Sequence, residues 1–452
     1  MMIKSVVPNI IWPALPAPEG ANMLAILFQL ESTQWNAGEK LLALQRLQLA
    51  KVLRHAVATV PYYRDKFQNL ATPHLEDFTW EEWRRLPLLT RPAVQEAGQK
   101  LISRAIPVEH GSHCKVQTSG STGTPITAYG TAVSQLFWRV FGLRDHIWHR
   151  RDFSAKHAII RYVKGLKAGE TLQAALWGQS TAPLFNTGPA LTMSILTEVE
   201  VQAQWLMQQA PGYLLSYPSN ILALAQIFRE KNWRLSSLKE IRTISESVGA
   251  DMRKVCREVW GVPVKDVYSS QEIGYIALQC PEHDHYHVQS ETVLVEVLDE
   301  QNNPCLPGQI GRVVVSTLHN FAMPFIRYEL GDYAEVGEPC PCGRGLPVLT
   351  RILGRQRNMM ITPDGKKYWP SFPSTLLSQL VPLRQIQIIQ KDLERLTVNM
   401  VTDRELLEDE KTRLIEGLRS QLSYPFQISL CYVKCIERSR SGKYEDFVSL
   451  VS

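Results

Sequence analysis

The stretch Thr118-Ser119-Gly120-Ser121-Thr122-Gly123-Thr124-Pro125 decides how this chain is read. Hydroxyl side chains and glycines are packed into eight residues that no hydrophobic core requires. Glycine lets the backbone curl and present N–H groups, and Ser and Thr add hydroxyl donors. Such a loop suits an anionic oxygen cluster, above all a phosphate. It is not a Walker loop, because no Gly-Lys-Ser/Thr follows Gly120, and Ser121 lacks the flanking glycines of a nucleophile elbow. The competing reading is a plain surface turn. A short β-like run, Cys114-Lys115-Val116-Gln117, precedes the loop. A long stretch rich in apolar and aromatic residues begins at Val133.

Around that loop the chain reads as α/β. Residues 22–60 have helical spacing, ended by Pro61-Tyr62-Tyr63-Arg64. Strands are expected at Ala158-Ile159-Ile160, Tyr213–Ser216, Ile241–Ser245 and Val264–Tyr268. Helices are expected at Val199–Gln209, at Asn220–Lys231 with Ser219 as its cap, and at Arg253–Val259. This alternation argues for layered helices on a largely parallel sheet. From about residue 288 the pattern turns antiparallel, with Val293–Asp299 and Arg312–Thr317. Beyond Gly354 lies a smaller unit, with strands at Ile386–Ile389, Leu396–Met400 and Phe426–Val433 and a helix over Arg404–Leu422.

Composition narrows the class. The chain has 452 residues, enough for two or more domains, with 44% hydrophobic and 21% charged residues. A net charge of +5 without a dense Lys/Arg block argues against nucleic acid as partner. No apolar run approaches the roughly 18 residues of a membrane span. Prolines 8, 13, 16 and 18 interrupt the apolar N-terminus, which argues against a signal peptide. Eight cysteines are too sparse for a disulfide scaffold, so a reduced, cytoplasmic setting is expected.

Four further stretches follow the loop in order: Ser245-Glu246-Ser247, Tyr268-Ser269-Ser270-Gln271-Glu272-Ile273-Gly274, Arg327-Tyr328-Glu329-Leu330-Gly331-Asp332 and Gly354-Arg355-Gln356-Arg357-Asn358. Near the end comes Ser441-Gly442-Lys443. In this order and spacing they resemble the adenylate-forming (acyl-, aryl- and luciferase-type) enzymes. Within these, the chain is most similar to the phenylacetate–CoA ligase and CapK-like branch. Val60-Pro61-Tyr62-Tyr63-Arg64 and Leu86-Pro87-Leu88-Leu89-Thr90 resemble that branch too. The likeness covers nearly the whole chain from about residue 40.

The resemblance implies an α/β fold. A large N-terminal adenylation domain of layered mixed sheets and helices would span 1–353, and a small mobile α+β lid domain 354–452. It implies ATP with Mg²⁺. Thr118, Ser119, Gly120, Ser121, Thr122 and Gly123 would hold the phosphates, with Ser119 and Thr122 close to the reaction. Glu246 would line the adenine pocket, and Tyr268 would stack near the base. Ser269 and Ser270 would lie beside the reacting oxygens, and Glu272 would help hold Mg²⁺. Asp332 would accept from the ribose hydroxyls, and Arg355 would contact phosphate or ribose. Lys443 would bridge the carboxylate and the α-phosphate. Such cations and donors are what the attack of one anion on another requires. Each residue also has an ordinary reading: Asp332 as a turn residue, Glu272 as a helix-cap acid, Lys443 as a surface lysine, Tyr268 as core. One departure is that Arg357 and Asn358 stand where the family's hinge is acidic, which puts the lid's swing and the CoA step in question.

Substrate candidates are Tyr217, Pro218, Ser245 and Phe141, with Phe137 and Trp138 beside them, and each is equally compatible with core. A second cluster, Cys280 to His287 followed by Cys340-Pro341-Cys342, has soft donors that suit tetrahedral zinc. Some members of the branch carry a Cys, His, Cys, Cys zinc site at these places. The ligands expected here are Cys280, His287, Cys340 and Cys342, with His283 the alternative histidine. The expected activity is formation of an acyl-adenylate and transfer of the acyl group to CoA. The alternatives are transfer to an amine, an alcohol or a carrier-protein thiol, or a non-catalytic nucleotide-binding homologue. A homodimer is compatible with all of these.

Overall fold

A computed structural model describes residues 2–67, 78–117, 126–370, 372, 377, 380–422, 424–439 and 444–451. The chain packs as two compact units. The first comprises Met1–His157, Gln173–Leu191 and Asp266–Ile352, and the second Ala158–Leu172, Thr192–Lys265 and Leu353–Ser452. The last hundred residues therefore belong with the 192–265 layer. Among the described residues no helix is long and apolar enough to cross a membrane.

In the first unit the expected helical stretch 22–60 is two helices, Pro18–Thr33 and Gly38–Thr59. The periodicity runs on through the break, but the main chain turns at Gln34, whose carbonyl accepts the Gly345 N–H at 2.9 Å. A side chain on Gly345 would meet the Asn36 carbonyl oxygen at 1.8 Å, so only glycine allows this approach. The sheet of this unit runs Val293–Leu298, Ile310–Thr317, Tyr328–Val336, Val348–Arg355, Tyr286–Val288, Gly274–Gln279, Val264–Ser270. The first three strands pair antiparallel, as do the last three.

The Pro-punctuated N-terminal motifs serve this sheet. Tyr63 is fully buried; its hydroxyl donates to the Pro324 carbonyl at 2.9 Å and accepts the Ile326 N–H at 3.1 Å. Leu89 exchanges main-chain hydrogen bonds with Arg327 and Glu329, adding a short parallel bridge to Tyr328. Arg327, buried and at φ 49°, donates to the Arg84 and Leu86 carbonyls and to both Glu296 oxygens. A buried guanidinium is tolerated because its donors are paired in this way.

The hairpin His113–Gln117 and Thr127–Thr131 frames the hydroxyl-glycine loop, with Gln117 paired to Thr127. The loop itself, 118–125, lies outside the described residues. The helix Ala132–Trp148 follows, opened by a reciprocal Thr131–Ser134 cap.

In the second unit the strand order is Glu240–Thr243, Tyr213–Ser216, His157–Arg161, Ala190–Ser194, Thr171–Ala174. Tyr213–Ser216 and Glu240–Thr243 are parallel. Two sequence expectations are corrected here. The strand expected to reach Ser245 ends at Thr243, because Ser245 sits at φ 74°. The helix expected to be capped by Ser219 runs Pro218–Glu230 with Tyr217 at the cap position; Ser219 lies inside its first turn. Its proline fits the first helical position, where no N–H is needed.

The C-terminal part of this unit is a four-stranded sheet ordered Gln427–Tyr432, Arg395–Thr402, Leu383–Gln390, Phe447–Ser449. The helix Glu408–Arg419 belongs to the same part, and its Leu414 and Leu418 join Val398, Met400 and Phe426 in the core.

Candidate functional site

Tyr268 lies near the end of the strand Val264–Ser270, at a register shift against the neighbouring strand. Asp332 lies in Tyr328–Val336, where pairing with Ile310–Thr317 jumps from Glu329 to Tyr333 and throws Leu330-Gly331-Asp332 out of register. Gly331 takes φ 86° in that bulge. The two irregularities bring the side chains together: the Tyr268 hydroxyl donates to Asp332 Oδ2 at 2.9 Å. Residues 64 positions apart, each expected at the nucleotide, are thus one hydrogen-bonded pair.

The two strands Val264–Ser270 and Gly274–Gln279 form a tight hairpin in which Ser270 pairs with Gly274 at φ 105°. The Ser270 hydroxyl accepts the Ile273 N–H at 3.2 Å. Gln271 and Glu272 stand at the tip. Glu272 borders a pocket whose other walls include Val116, Phe137, Trp138, Phe141 and His319. Val116, a wall of this pocket, precedes the hydroxyl-glycine loop by two residues in the sequence.

His319 had no signal in the sequence. Its ring stacks on Phe137 with centroids 4.0 Å apart, and burial pushes its pKa down to about 4, so the imidazole is neutral. Of the substrate candidates, Phe141 is in this pocket. Tyr217, Pro218 and Ser245 belong to the second unit; there the Tyr217 hydroxyl accepts the Tyr162 N–H at 3.2 Å. Arg355 closes the strand Val348–Arg355.

In the second unit Glu246, expected at the adenine pocket, is held by main-chain groups. One carboxylate oxygen accepts the Ser219 N–H at 2.9 Å, and the other accepts the Tyr444 N–H at 2.7 Å. Burial pushes its carboxyl up, and those N–H groups and Arg438 pull it back. Thr118–Gly123, including Ser119 and Thr122, and Lys443 lie outside the described residues.

The Cys/His cluster is built on the first unit's sheet. Cys280 follows Gly274–Gln279, His287 lies in the return strand Tyr286–Val288, and His285 is in the bend just before it. Ligand atoms of Cys280, His285, His287 and Cys340 all lie within 4.8 Å of one another. The Cys280 and Cys340 sulfurs are 3.9 Å apart, and His285 Nε2 is 2.9 Å from Cys340 Sγ. Cys342 Sγ stands 3.4 Å from His287 Nε2 and accepts from Arg344. His283, the alternative, stacks on His285 at 5.2 Å instead. His285 is the ligand candidate that sequence reasoning missed. Its spacing of two from His287 is the sequence signal that could have flagged it.

Burial lowers His287 to about 3, keeping it neutral. Two thiols and two imidazoles at these separations fit a tetrahedral soft-metal site, whose ligand atoms sit about 3–4 Å apart.

Comparison with known proteins gives the same direction along the chain. Residues 360–449 match the CapK C-terminal domain family. A phenylacetate–coenzyme A ligase of Thermus thermophilus is 27% identical over 369 residues, which is 77% of this chain and 78% of that protein. The Escherichia coli enzyme of the same name is 25% identical over 363 residues, again 77% and 78%. Among solved structures, a 2-hydroxyisobutyryl-CoA ligase in its postadenylation state shares the fold with a TM-score of 0.69 at 18% identity, covering 90% of this chain and 88% of that one. Over most of its length the chain is thus similar to adenylate-forming enzymes of the phenylacetate–CoA ligase and CapK-like branch.

Proposed function

We propose that this protein activates a carboxylic acid with ATP and passes the acyl group to CoA. In the first half-reaction a carboxylate oxygen attacks the α-phosphorus of ATP, the bond from that phosphorus to the bridging oxygen breaks, and pyrophosphate leaves. In the second, the CoA sulfur attacks the acyl carbon and AMP leaves. The observation that carries this reading is the Tyr268–Asp332 hydrogen bond, which joins the two residues matching the family's nucleotide contacts. A carboxylate beside a tyrosine can accept both ribose hydroxyls.

The remaining roles follow the family pattern. Thr118 to Gly123 grip the phosphates, Glu272 helps hold Mg²⁺, Arg355 contacts phosphate or ribose, and Lys443 offsets the charge between the two reacting anions. The aromatic walls Phe137, Trp138 and Phe141 beside Glu272 support an aromatic or apolar acid. Residues 354–452 act as the lid domain, in a cytoplasmic enzyme. Cys280, His285, His287 and Cys340 hold a structural zinc ion, fastening the segment after the Tyr268 motif to the 340–344 loop.

The test is a panel of carboxylic acids assayed for ATP–pyrophosphate exchange, followed by mass analysis of the product formed with CoA. Acid-dependent exchange and an acyl-CoA product are expected. Exchange without a CoA product would move the acceptor to an amine, an alcohol or a carrier thiol. No exchange with any acid would overturn the reading.

A further inference from the structure

The aromatic wall beside Glu272 contains one polar ring. His319 lies in the bend after the strand Ile310–Thr317, and its imidazole lines the pocket with Phe137, Trp138 and Phe141. It stacks on Phe137 with centroids 4.0 Å apart and ring planes 7° from parallel. That stack fixes the plane of the imidazole, and with it the directions of the two nitrogens.

Nδ1 is sealed from solvent and has no hydrogen-bond partner among the described residues. Nε2 is not sealed, so it is the nitrogen that the ring presents to the pocket. Burial, then the nearby His110, pushes the imidazole down to about 4, so it is neutral near pH 7. A neutral imidazole has one N–H and one lone pair, and a hydroxyl group can pair with either.

Other polar side chains on this wall are taken up within the protein. Asn320 donates to the Tyr129 carbonyl at 2.9 Å and accepts the Ala322 and Met323 N–H groups at 3.1 and 3.2 Å. The Ser134 hydroxyl accepts the Thr131 N–H and donates to the Thr131 carbonyl, both at 2.8 Å. The Thr317 hydroxyl accepts the Phe325 N–H at 3.1 Å. If the task of His319 were packing alone, a phenylalanine would stack on Phe137 without burying a polar nitrogen. Apolar walls with a few placed polar groups are the usual composition of a ligand pocket, the polar groups fixing orientation.

We propose that His319 is a specificity-determining residue, and that the acid bound here is aromatic and carries a hydroxyl group on its ring. The hydroxyl hydrogen-bonds Nε2, and the ring packs against Phe137, Trp138 and Phe141. This rests on the function proposed above and names its substrate class.

The experiment uses the full chain and pairs of acids that differ only in the hydroxyl: ring-hydroxylated benzoates and phenylacetates against benzoate and phenylacetate. Binding is measured by calorimetry with and without ATP, and activation by ATP–pyrophosphate exchange. At least one hydroxylated isomer should bind and exchange about 10- to 100-fold better than its parent, the scale of one buried hydrogen bond made or missing. In His319→Phe, which keeps the stack and removes both nitrogens, that ratio should fall to within about twofold. His319→Gln, which keeps a donor and an acceptor, should recover part of it. Each ratio is taken within one protein, so a general loss of activity cancels.

A parent acid bound as well as every hydroxylated isomer overturns the proposal, whether or not the variants fold. A preference that survives in His319→Phe overturns it too, as does binding of none of these acids. The function proposed above is judged separately. Exchange with any acid upholds it even where His319 confers no preference. Binding that depends on His319, without exchange from any acid, upholds the pocket and overturns that function.

Discussion

The Cys/His cluster and the Glu246–Tyr444 tie are both small polar assemblies that join distant parts of the chain. In the cluster, side chains meet side chains: two thiols and two imidazoles converge within 4.8 Å. In the tie, one side chain meets two main-chain N–H groups. Donors of the first kind are named by their residue types, so a sequence announces them. Every non-proline residue carries an N–H, so the second kind leaves no mark. The two assemblies also differ in what breaks them. Losing a ligand should cost metal and fold stability, whereas losing the tie should leave two main-chain N–H groups without this acceptor.

The largest effect should fall on rate. Lys443→Ala should lower acid-dependent pyrophosphate exchange by about 100- to 1,000-fold, as removal of one preorganised charge at a transition state does. KM for ATP should move little. If exchange survives within about threefold, Lys443 does no chemistry and the proposed reaction loses its mobile cation.

Next come the cluster residues, read by metal content and melting. Cys340→Ser should take bound zinc from about one ion per chain towards none and lower the melting midpoint by several degrees. His285→Gln should do the same. Cys342→Ser should keep most of the metal if Cys280, His285, His287 and Cys340 are the ligands. Metal loss in Cys342→Ser with retention in His285→Gln would reverse the assignment in favour of the Cys, His, Cys, Cys set. Protein purified without any metal and indifferent to Cys340→Ser would remove the cluster from the comparison.

A smaller effect is expected at the Tyr268–Asp332 pair, where side chain again meets side chain. Asp332→Asn should raise KM for ATP by roughly tenfold, the scale of a lost charge-assisted hydrogen bond, and Tyr268→Phe by about threefold. Equal, near-zero effects would place both residues in the core instead of at the nucleotide.

The same contrast explains how far the sequence could be read. Helix and strand positions follow side-chain periodicity, so Val199–Gln209 and Tyr213–Ser216 are found where the pattern puts them. The turn at Gln34 and the end of the strand at Thr243 are set by main-chain events, a Gly345 approach and the left-handed Ser245, and periodicity runs through both. Cys280, His287 and Cys340 are brought together. His285 was passed over because choosing between histidines needs the strand's direction. The main-chain partners of Glu246 were not legible, because the motif names a residue and says nothing about its partner. His319 and Phe137 meet only through the packing of a helix against the bend after the strand Ile310–Thr317, with no local pattern to mark the stack.

The smallest predicted effect tests an assembly that joins both modes. Glu410 accepts from both Arg404 nitrogens at 2.7 Å and from the Leu407 N–H at 2.8 Å, at the start of the helix Glu408–Arg419. The hydrogen bonds from Arg404, then the Leu407 N–H, hold its carboxyl at about 2, below the ordinary 4.5. A depressed carboxyl stabilises the folded chain fully above the unfolded value, and that contribution fades as pH falls from 4.5 towards 2. Arg404 is half exposed, so solvent screens the pair and the contribution is small. Arg404→Gln should therefore melt slightly lower than the unsubstituted chain at pH 7, and the gap should close as the pH is lowered through that window. Because the Leu407 N–H still holds Glu410 in the variant, some acid sensitivity should remain. A gap that is flat with pH, or that widens in acid, would show that Arg404 acts by packing and that the main-chain N–H alone sets the carboxyl.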